Sequence, residues 1–286
     1  MGTSVILTGT GVPHPAPDRA GAGTMVRHGD IALQFDAGRA TVMRMTAAGV
    51  SPAKVTAVFV THVHSDHLVD LADVAMTRWV LQQVRATGPL TVVVPEGVAE
   101  RFVRRMLEPY DDDIAARREH TGAPEPGVDI RTFPVPSTPT RVWRSDDGTV
   151  TVDAVMVHHE PVPEAVAYRV TTPDGVVVIS GDTRVCDEVA GLSQGADLVV
   201  HEACRATALK DAVAGTIFET IFSYHADTHQ IGAMAQRIGA PHVLLTHLIP
   251  APKDEREEAA FEQDLRDGGY TGRVTVGRDL TTIVLG

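Results

Sequence analysis

The sequence predicts an α/β fold in which sheets are sandwiched by helices, and three observations lead there. Runs of β-branched residues alternate with helical patterns almost from end to end, which is how layered sheets and helices are written into a chain. Hydrophobic residues make up 43% of the 286 and charged residues 22%, enough apolar surface to offset the entropy of ordering, so a disordered chain is excluded. No stretch approaches the ~20 uninterrupted apolar residues of a membrane span. Periodicity alone does not separate two stacked sheets from one doubly wound sheet. One domain over residues 1–286 is expected.

In chain order, Thr3–Leu7 reads as a strand running into the turn Thr8-Gly9-Thr10-Gly11, and Ile31–Phe35 as a second strand closed by Asp36-Ala37-Gly38. Val55–Val60, Leu90–Val94, Val150–Val157, Val176–Ile179, Leu198–Val200 and Val243–Leu245 are further aliphatic runs of strand length. Leu68–Val84 carries Leu68, Leu71, Ala72 and Ala75 at i, i+3, i+4 and i+7, the spacing of one helix face. Glu96–Leu107 and Asp254–Leu265 follow suit, the last opened by acidic residues that suit a helix N-terminus. Between Tyr110 and Arg144 the run Asp111-Asp112-Asp113 and the prolines Pro124, Pro126, Pro134, Pro136 and Pro139 predict a partly irregular excursion within the domain.

With 25 Lys+Arg against 37 Asp+Glu, the formal charge is −12. That weighs against a polyanion as partner, whose binding rests on neutralising phosphates, and favours a small substrate. The nearest approach to a basic run is Arg101, Arg104 and Arg105, then Arg117 and Arg118. Cys186 and Cys204 are too few for a disulfide framework and lack the paired spacing of a thiolate metal site; Cys186 reads as a small packed residue. The segment Met1–Leu7 has no basic leader, and a reduced cytoplasm is expected.

The decisive stretch is Thr61-His62-Val63-His64-Ser65-Asp66-His67, between a strand and a helix. His62 and His64, two apart in extended chain, project to one side, and Asp66 and His67 fall at the turn into the helix. Three imidazoles and a carboxylate suit zinc or another transition metal. Chance puts such a string in roughly two of a thousand chains of this composition, so solvated loop histidines are set aside.

This string resembles that of the metallo-β-lactamase-fold hydrolases, and three later segments match the family in order. His159-Glu160-Pro161-Val162 with Ala167-Tyr168-Arg169 is similar to its third-histidine motif, Ser180-Gly181-Asp182-Thr183 to its bridging-aspartate motif, and Leu245-Thr246-His247-Leu248 to its final-histidine motif. The resemblance implies an αββα four-layer sandwich with a metal site at the sheet edge. It implies one metal on His62, His64 and His159, a second on Asp66, His67 and His247, and Asp182 bridging both. Two Zn2+ are expected, with Mn2+ or Fe2+ as alternatives. Two dications held close need a carboxylate between them and an open position for water. His158 rivals His159 but would face the opposite way along a strand, so one of the two binds, and the offset to Pro161 and Tyr168 favours His159.

Two more segments resemble ribonuclease Z. His201-Glu202-Ala203-Cys204 is similar to its His-Glu-Ala-Thr motif, and His225-Ala226-Asp227-Thr228 stands where its His-Ser-Thr lies, with Gly232 at the expected offset. The resemblance implies that Glu202 and His225 pair to pass a proton to the leaving group; a bracing role for the metal loop is the alternative. Asp66, Glu202 and His225 are thus the candidate catalytic residues. Cys204 for Thr and Ala226-Asp227 for Ser-Thr depart from the pattern. His14, His28, His120 and His242 lack ligand spacing and read as surface or loop residues, and His229 as first-turn helix surface or a flank of the site. The Gly9–Gly11 turn reads as a structural loop rather than a phosphate cradle.

The opening Leu7-Thr8-Gly9-Thr10-Gly11 with Pro13, Pro15, Pro17, Asp18 and Arg19 is similar to arylsulfatase-like and ribonuclease Z-like members. The family's tRNA-clamping arm, inserted between the third His and the bridging Asp, is missing from the short interval His159–Asp182. A metal-bridging hydroxide attacking a small phosphodiester, sulfate ester, carboxylic ester or lactone is therefore placed first. A tRNA 3′-processing endoribonuclease is the alternative, which a basic groove made by Arg101–Arg105 or across a dimer would favour. A non-catalytic metal-binding scaffold comes third, because the whole ligand set is retained. A homodimer follows from family analogy.

Overall fold

The computed structural model describes residues 2–82 and 88–286. Its strands are β1 (Thr3–Gly9), β2 (Gly23–His28), β3 (Ile31–Phe35), β4 (Ala57–Phe59), β5 (Leu90–Pro95), β6 (Val128–Phe133), β7 (Thr140–Arg144), β8 (Thr151–Met156), β9 (Val166–Thr172), β10 (Gly175–Ile179), β11 (Leu198–Cys204), β12 (His242–Ile249), β13 (Arg273–Val276) and β14 (Thr282–Leu285). They form two seven-stranded sheets, ordered β14-β1-β2-β3-β4-β5-β6 and β13-β12-β11-β10-β9-β8-β7. In the first sheet β14 through β3 pair antiparallel and β3 through β6 parallel. The second repeats this, antiparallel from β7 to β10 and parallel from β10 to β13. No repeat is visible in the sequence, yet the two halves share one plan.

Strand alternation settles the layer question that periodicity left open. Side chains two apart share a face. Along β4, Ala57 and Phe59 join an apolar cluster with Tyr168, Val170 and Leu244 of the other sheet, while Val58 between them packs with Val42, Leu71 and Val74 of the outer helices. Along β12, Leu244 faces inward, and Val243 and Leu245 pack outward with Ile231, Phe261 and Leu265. Each sheet thus meets the other on one face and helices on the other, the αββα sandwich. Phe59 lies at its middle, stacked on Phe35 at 4.8 Å and edge-on to Tyr168 at 5.5 Å. Phe59→Ala is expected to cost ~3–5 kcal/mol by opening a cavity, read as a lowered urea midpoint.

Several elements differ from expectation, each for a local reason. The expected helix Leu68–Val84 is two helices, Ser65–Leu68 and Leu71–Gln82. The break falls where Asp70 N–H donates to Ala37 O (3.0 Å) and the Asp70 carboxylate accepts from Val42 N–H (2.9 Å); the expected end at Val84 lies outside the described residues. The stretch Tyr110–Arg144 mixes regular elements with the irregular connections 122–127 and 134–139. It holds the helix Asp111–Thr121 and strands β6 and β7, which are edge strands of the two sheets. The run Asp111-Asp112-Asp113 occupies the first turn of that helix, where the helix dipole favours negative charge, and the prolines sit in the connections. No helix among the described residues is long and apolar enough to cross a membrane.

Candidate metal centre

The carboxyl ends of the parallel strands β3, β4, β10, β11 and β12 deliver the site, as crevices in parallel sheets commonly do. Beyond β4 the chain stays extended through His64 (ψ 144) and then turns into the helix Ser65–Leu68. His62 Nε2 and His159 Nε2 each come within 3.0 Å of His64 Nδ1. His159 lies in the turn between β8 and β9, closed by a bridge to Val162. Asp182 follows Gly181, which has a φ of 59° and where an added Cβ would meet Thr61 Cβ at 2.9 Å. His247 sits at a β-bulge, where Glu202 faces Thr246 but Ala203 faces Leu248. The extra residue carries a φ of 45°, and such bulges re-aim a side chain. Gly38 lets the Asp36 loop pass this segment, since a Cβ there would meet Asp66 O at 2.0 Å.

The seven residues named from the sequence converge as two sets, His62, His64, His159 and Asp182, and Asp66, His67 and His247, with ligand atoms in each within 4.8 Å of one another. Asp182 Oδ2 faces both, at 3.9 Å from His62 Nε2, 3.8 Å from His159 Nε2 and 3.3 Å from both His67 and His247 Nε2. Asp66 Oδ2 lies 3.2 Å from His247 Nε2 and 3.6 Å from His67 Nε2. Burial holds His62 well below the usual imidazole range and also lowers His64 and His159, so these rings are neutral and offer lone pairs. His67 goes the other way. Burial opposes its charge, but Asp182, Asp66 and Asp36 outweigh burial and raise it well above the ordinary value. A buried pocket that draws a proton onto an imidazole in this way is one that attracts a cation.

Asp36, which closes its strand, carries no motif in the sequence but anchors both sets. Its Oδ1 accepts from Thr61 N–H (2.8 Å), and its Oδ2 accepts from Thr61 Oγ1–H (2.7 Å) and His67 Nδ1–H (2.7 Å). Thr61 Oγ1 is then free to accept from His62 Nδ1–H at 3.0 Å. One carboxylate thereby sets the tautomer of a ring in each set and turns both Nε2 lone pairs inward. His67 Nε2 is buried without a hydrogen-bond partner, which is what a ligand atom looks like without its ion. Imidazoles and carboxylates with no thiol suit divalent zinc, manganese or iron. Asp36→Asn is expected to lower metal affinity 10–100-fold, the scale of such outer partners, measured by equilibrium dialysis with the far-UV spectrum unchanged.

Glu202 and His225 stand beside this centre. Glu202 is buried; His225 Nδ1–H donates to it at 2.9 Å, and Thr183 N–H at 2.7 Å. A ring nitrogen of His225 lies within 4.8 Å of Asp182 and His247 ligand atoms, and Nε2 is the one left over. Burial alone would lower His225, but the Glu202 carboxylate overrides it and pushes the imidazole up to about 9. Asp227, a departure from the motif, caps the helix Thr228–Ile238 by accepting from His229 and Gln230 N–H. His158 points away from the centre to Glu188. Two histidines read as surface or loop residues are structural instead: His242 is buried on β12, 2.9 Å from Thr275 Oγ1, and His28 on β2 pairs with Asp174 at 3.0 Å.

Two open recesses adjoin the site's segments. One, of about 510 Å³, is lined by Val63 of the metal-ligand string together with Arg101, Phe102 and Arg105. The other, of about 590 Å³, is walled by Phe222 and Ile249, which flank His225 and His247, and by His14, Phe218 and Lys253.

Stacked mixed sheets between helices, with an imidazole–carboxylate centre at the strand ends, define a metal-dependent hydrolase of the metallo-β-lactamase fold. The family described as the beta-lactamase superfamily domain matches residues 30–248. Ribonuclease Z of Mycobacterium bovis (strain BCG / Pasteur 1173P2) is 34% identical over 278 residues, covering 96% of both chains. Ribonuclease Z of Mycobacterium avium (strain 104) is 37% identical over 283 residues, with the same coverage. Among solved structures, a metallo-beta-lactamase fold protein from Bacillus subtilis superposes with a TM-score of 0.76 at 20% identity, covering 99% of this chain and 100% of that one. The short form of human tRNase Z does so at 0.71 and 21%, covering 99% of each. The chain belongs to the metallo-β-lactamase superfamily, in its ribonuclease Z-like branch.

Proposed function

We propose that this protein is an endoribonuclease that hydrolyses a phosphodiester at the 3′ side of tRNA precursors, a reading supported by relatives at 34–37% identity that carry the name Ribonuclease Z. This reverses the order reached from sequence, where a small ester came first. The observation that carries it is the Glu202–His225 pair beside Asp182 and His247, an acid placed to protonate a leaving oxygen. Arg101, which lines a recess with Val63 of the ligand string while Arg105 there pairs with Glu108 at 3.2 Å, favours the same reading, since a −12 chain needs a local positive charge to meet phosphates.

His62, His64 and His159 would hold one ion and Asp66, His67 and His247 the other, with Asp182 Oδ2 shared; zinc suits this set, with manganese or iron(II) as alternatives. Bound ions supply Lewis acidity, activating water and offsetting charge on the phosphoryl oxygens. Asp36 keeps the rings oriented. Asp66 orients the attacking water. His225 delivers its Nε2 proton to the departing oxygen while Glu202, itself fixed by Thr183 N–H, keeps the imidazole charged. We place the protein in the cytoplasm, where its free cysteines stay reduced, as a homodimer by analogy with the branch.

The test compares a 3′-extended tRNA precursor with chromogenic phosphodiester, sulfate, lactone and carboxylic esters. The precursor is expected to win by at least ~10³-fold in kcat/KM, worth ~4 kcal/mol of added transition-state binding. The acidic charge and the armless His159–Asp182 interval, which holds only β9 and β10, favour the small ester as second reading, and an ester turned over faster than the precursor would establish it. Arg101→Ala is expected to weaken RNA binding and flatten the log K against log [salt] slope by about 1, leaving turnover of a chromogenic phosphodiester unchanged.

A further inference from the structure

His158, turned away from the reaction centre, belongs to a second cluster on the far side of the same turn. We propose that His158, Cys186 and Glu188 form a separate metal site that takes one ion of the zinc class. His158 Nε2 lies 3.2 Å from Glu188 Oε1, and with Cys186 Sγ the three ligand atoms lie within 4.8 Å of one another. Nitrogen and oxygen held ~2.1 Å from a tetrahedral zinc stand ~3.4 Å apart, and a sulfur–nitrogen edge is ~3.6 Å. The nitrogen–oxygen edge is therefore already close to this value, with the thiol within 4.8 Å of both. A surface His–Glu ion pair would account for two of these groups but needs no thiol beside them.

The donor set selects the ion. Thiolate, imidazole and carboxylate together suit zinc, cobalt or cadmium, whereas magnesium and calcium take oxygen ligands. Three protein ligands leave a fourth position for water. His158 and Glu188 are about a third exposed, at 31% and 29%, and Cys186 is partly buried, so an ion can enter from solvent. Thr183 joins this cluster to the reaction centre. Its Oγ1 lies 3.8 Å from Cys186 Sγ and accepts from His158 N–H at 3.1 Å, while its own N–H donates to Glu202 at 2.7 Å. An ion here ties the segment after Asp182 to the turn that carries His159.

Cobalt titration of the metal-loaded protein tests this, because a thiolate-to-cobalt charge-transfer band in the near ultraviolet reports Cys186 and is silent for a centre without thiol ligands. The band is expected to saturate at one equivalent and to vanish in Cys186→Ser. Glu188→Gln should weaken binding by at least ~10-fold, no less than loss of an outer partner would. Zinc should also slow iodoacetamide alkylation of Cys186 in the unaltered protein, a measurement that does not depend on any variant folding. No band at millimolar cobalt, a band that survives Cys186→Ser, or alkylation indifferent to zinc would each overturn the site.

Discussion

Asp182→Ala is expected to lower kcat/KM by at least ~10³-fold and to reduce the metal retained per chain, because one oxygen of this carboxylate faces imidazoles of both sets at 3.3–3.9 Å. Without it, two dications would repel across a neutral gap, and several kcal/mol of transition-state charge stabilisation goes with them. Burial disfavours a charged Asp182, but His247 and His67 hold its carboxyl well below the ordinary range, which favours the ionised form that a shared ligand would need. Elemental analysis beside turnover checks the point. A variant that keeps both its metal and its rate would remove Asp182 from the centre.

His225→Ala is expected to cost ~10²–10⁴-fold in kcat, the usual range for a lost general acid, with metal content unchanged. In the proposed role the protonated ring is the active form, and the Glu202 carboxylate, overriding burial, pushes the imidazole up to about 9. Turnover is therefore expected to fall as pH rises through that value. Glu202→Gln removes the main influence raising His225, so the alkaline limb moves to lower pH. A pair that only braces the metal loop would change metal content and leave the limb in place; the pH–rate profile of Glu202→Gln separates the two.

Much of the centre was legible because its donors lie in short local strings. His62, His64, Asp66 and His67 fall within one extended segment and one helical turn, where spacing alone fixes the side on which each side chain emerges. Asp36 was not legible as a site residue, since its role lies in bonds to Thr61 and His67 and a lone aspartate after a strand has no spacing to mark it. Strands β6, β7, β13 and β14 escaped notice for a related reason. They lie at sheet edges and carry half-exposed or exposed residues, so their apolar signal is weak, and proline in the neighbouring connections reads as disorder.

By itself the sequence named the histidines and carboxylates that gather at the strand ends, their order along the chain, the family and the Glu202–His225 pair, because each rests on residue identity within a few positions of a strand end. Tertiary structure alone decided that His158 turns outward to Cys186 and Glu188, that one Asp36 carboxylate orients rings of both sets, and that Arg101 and Arg105 share a recess with Val63. Those outcomes depend on ångström distances between segments far apart in sequence, such as His64 and His159 at 3.0 Å, and such distances are set by how the two sheets stack on Phe35, Phe59 and Tyr168, not by any local pattern.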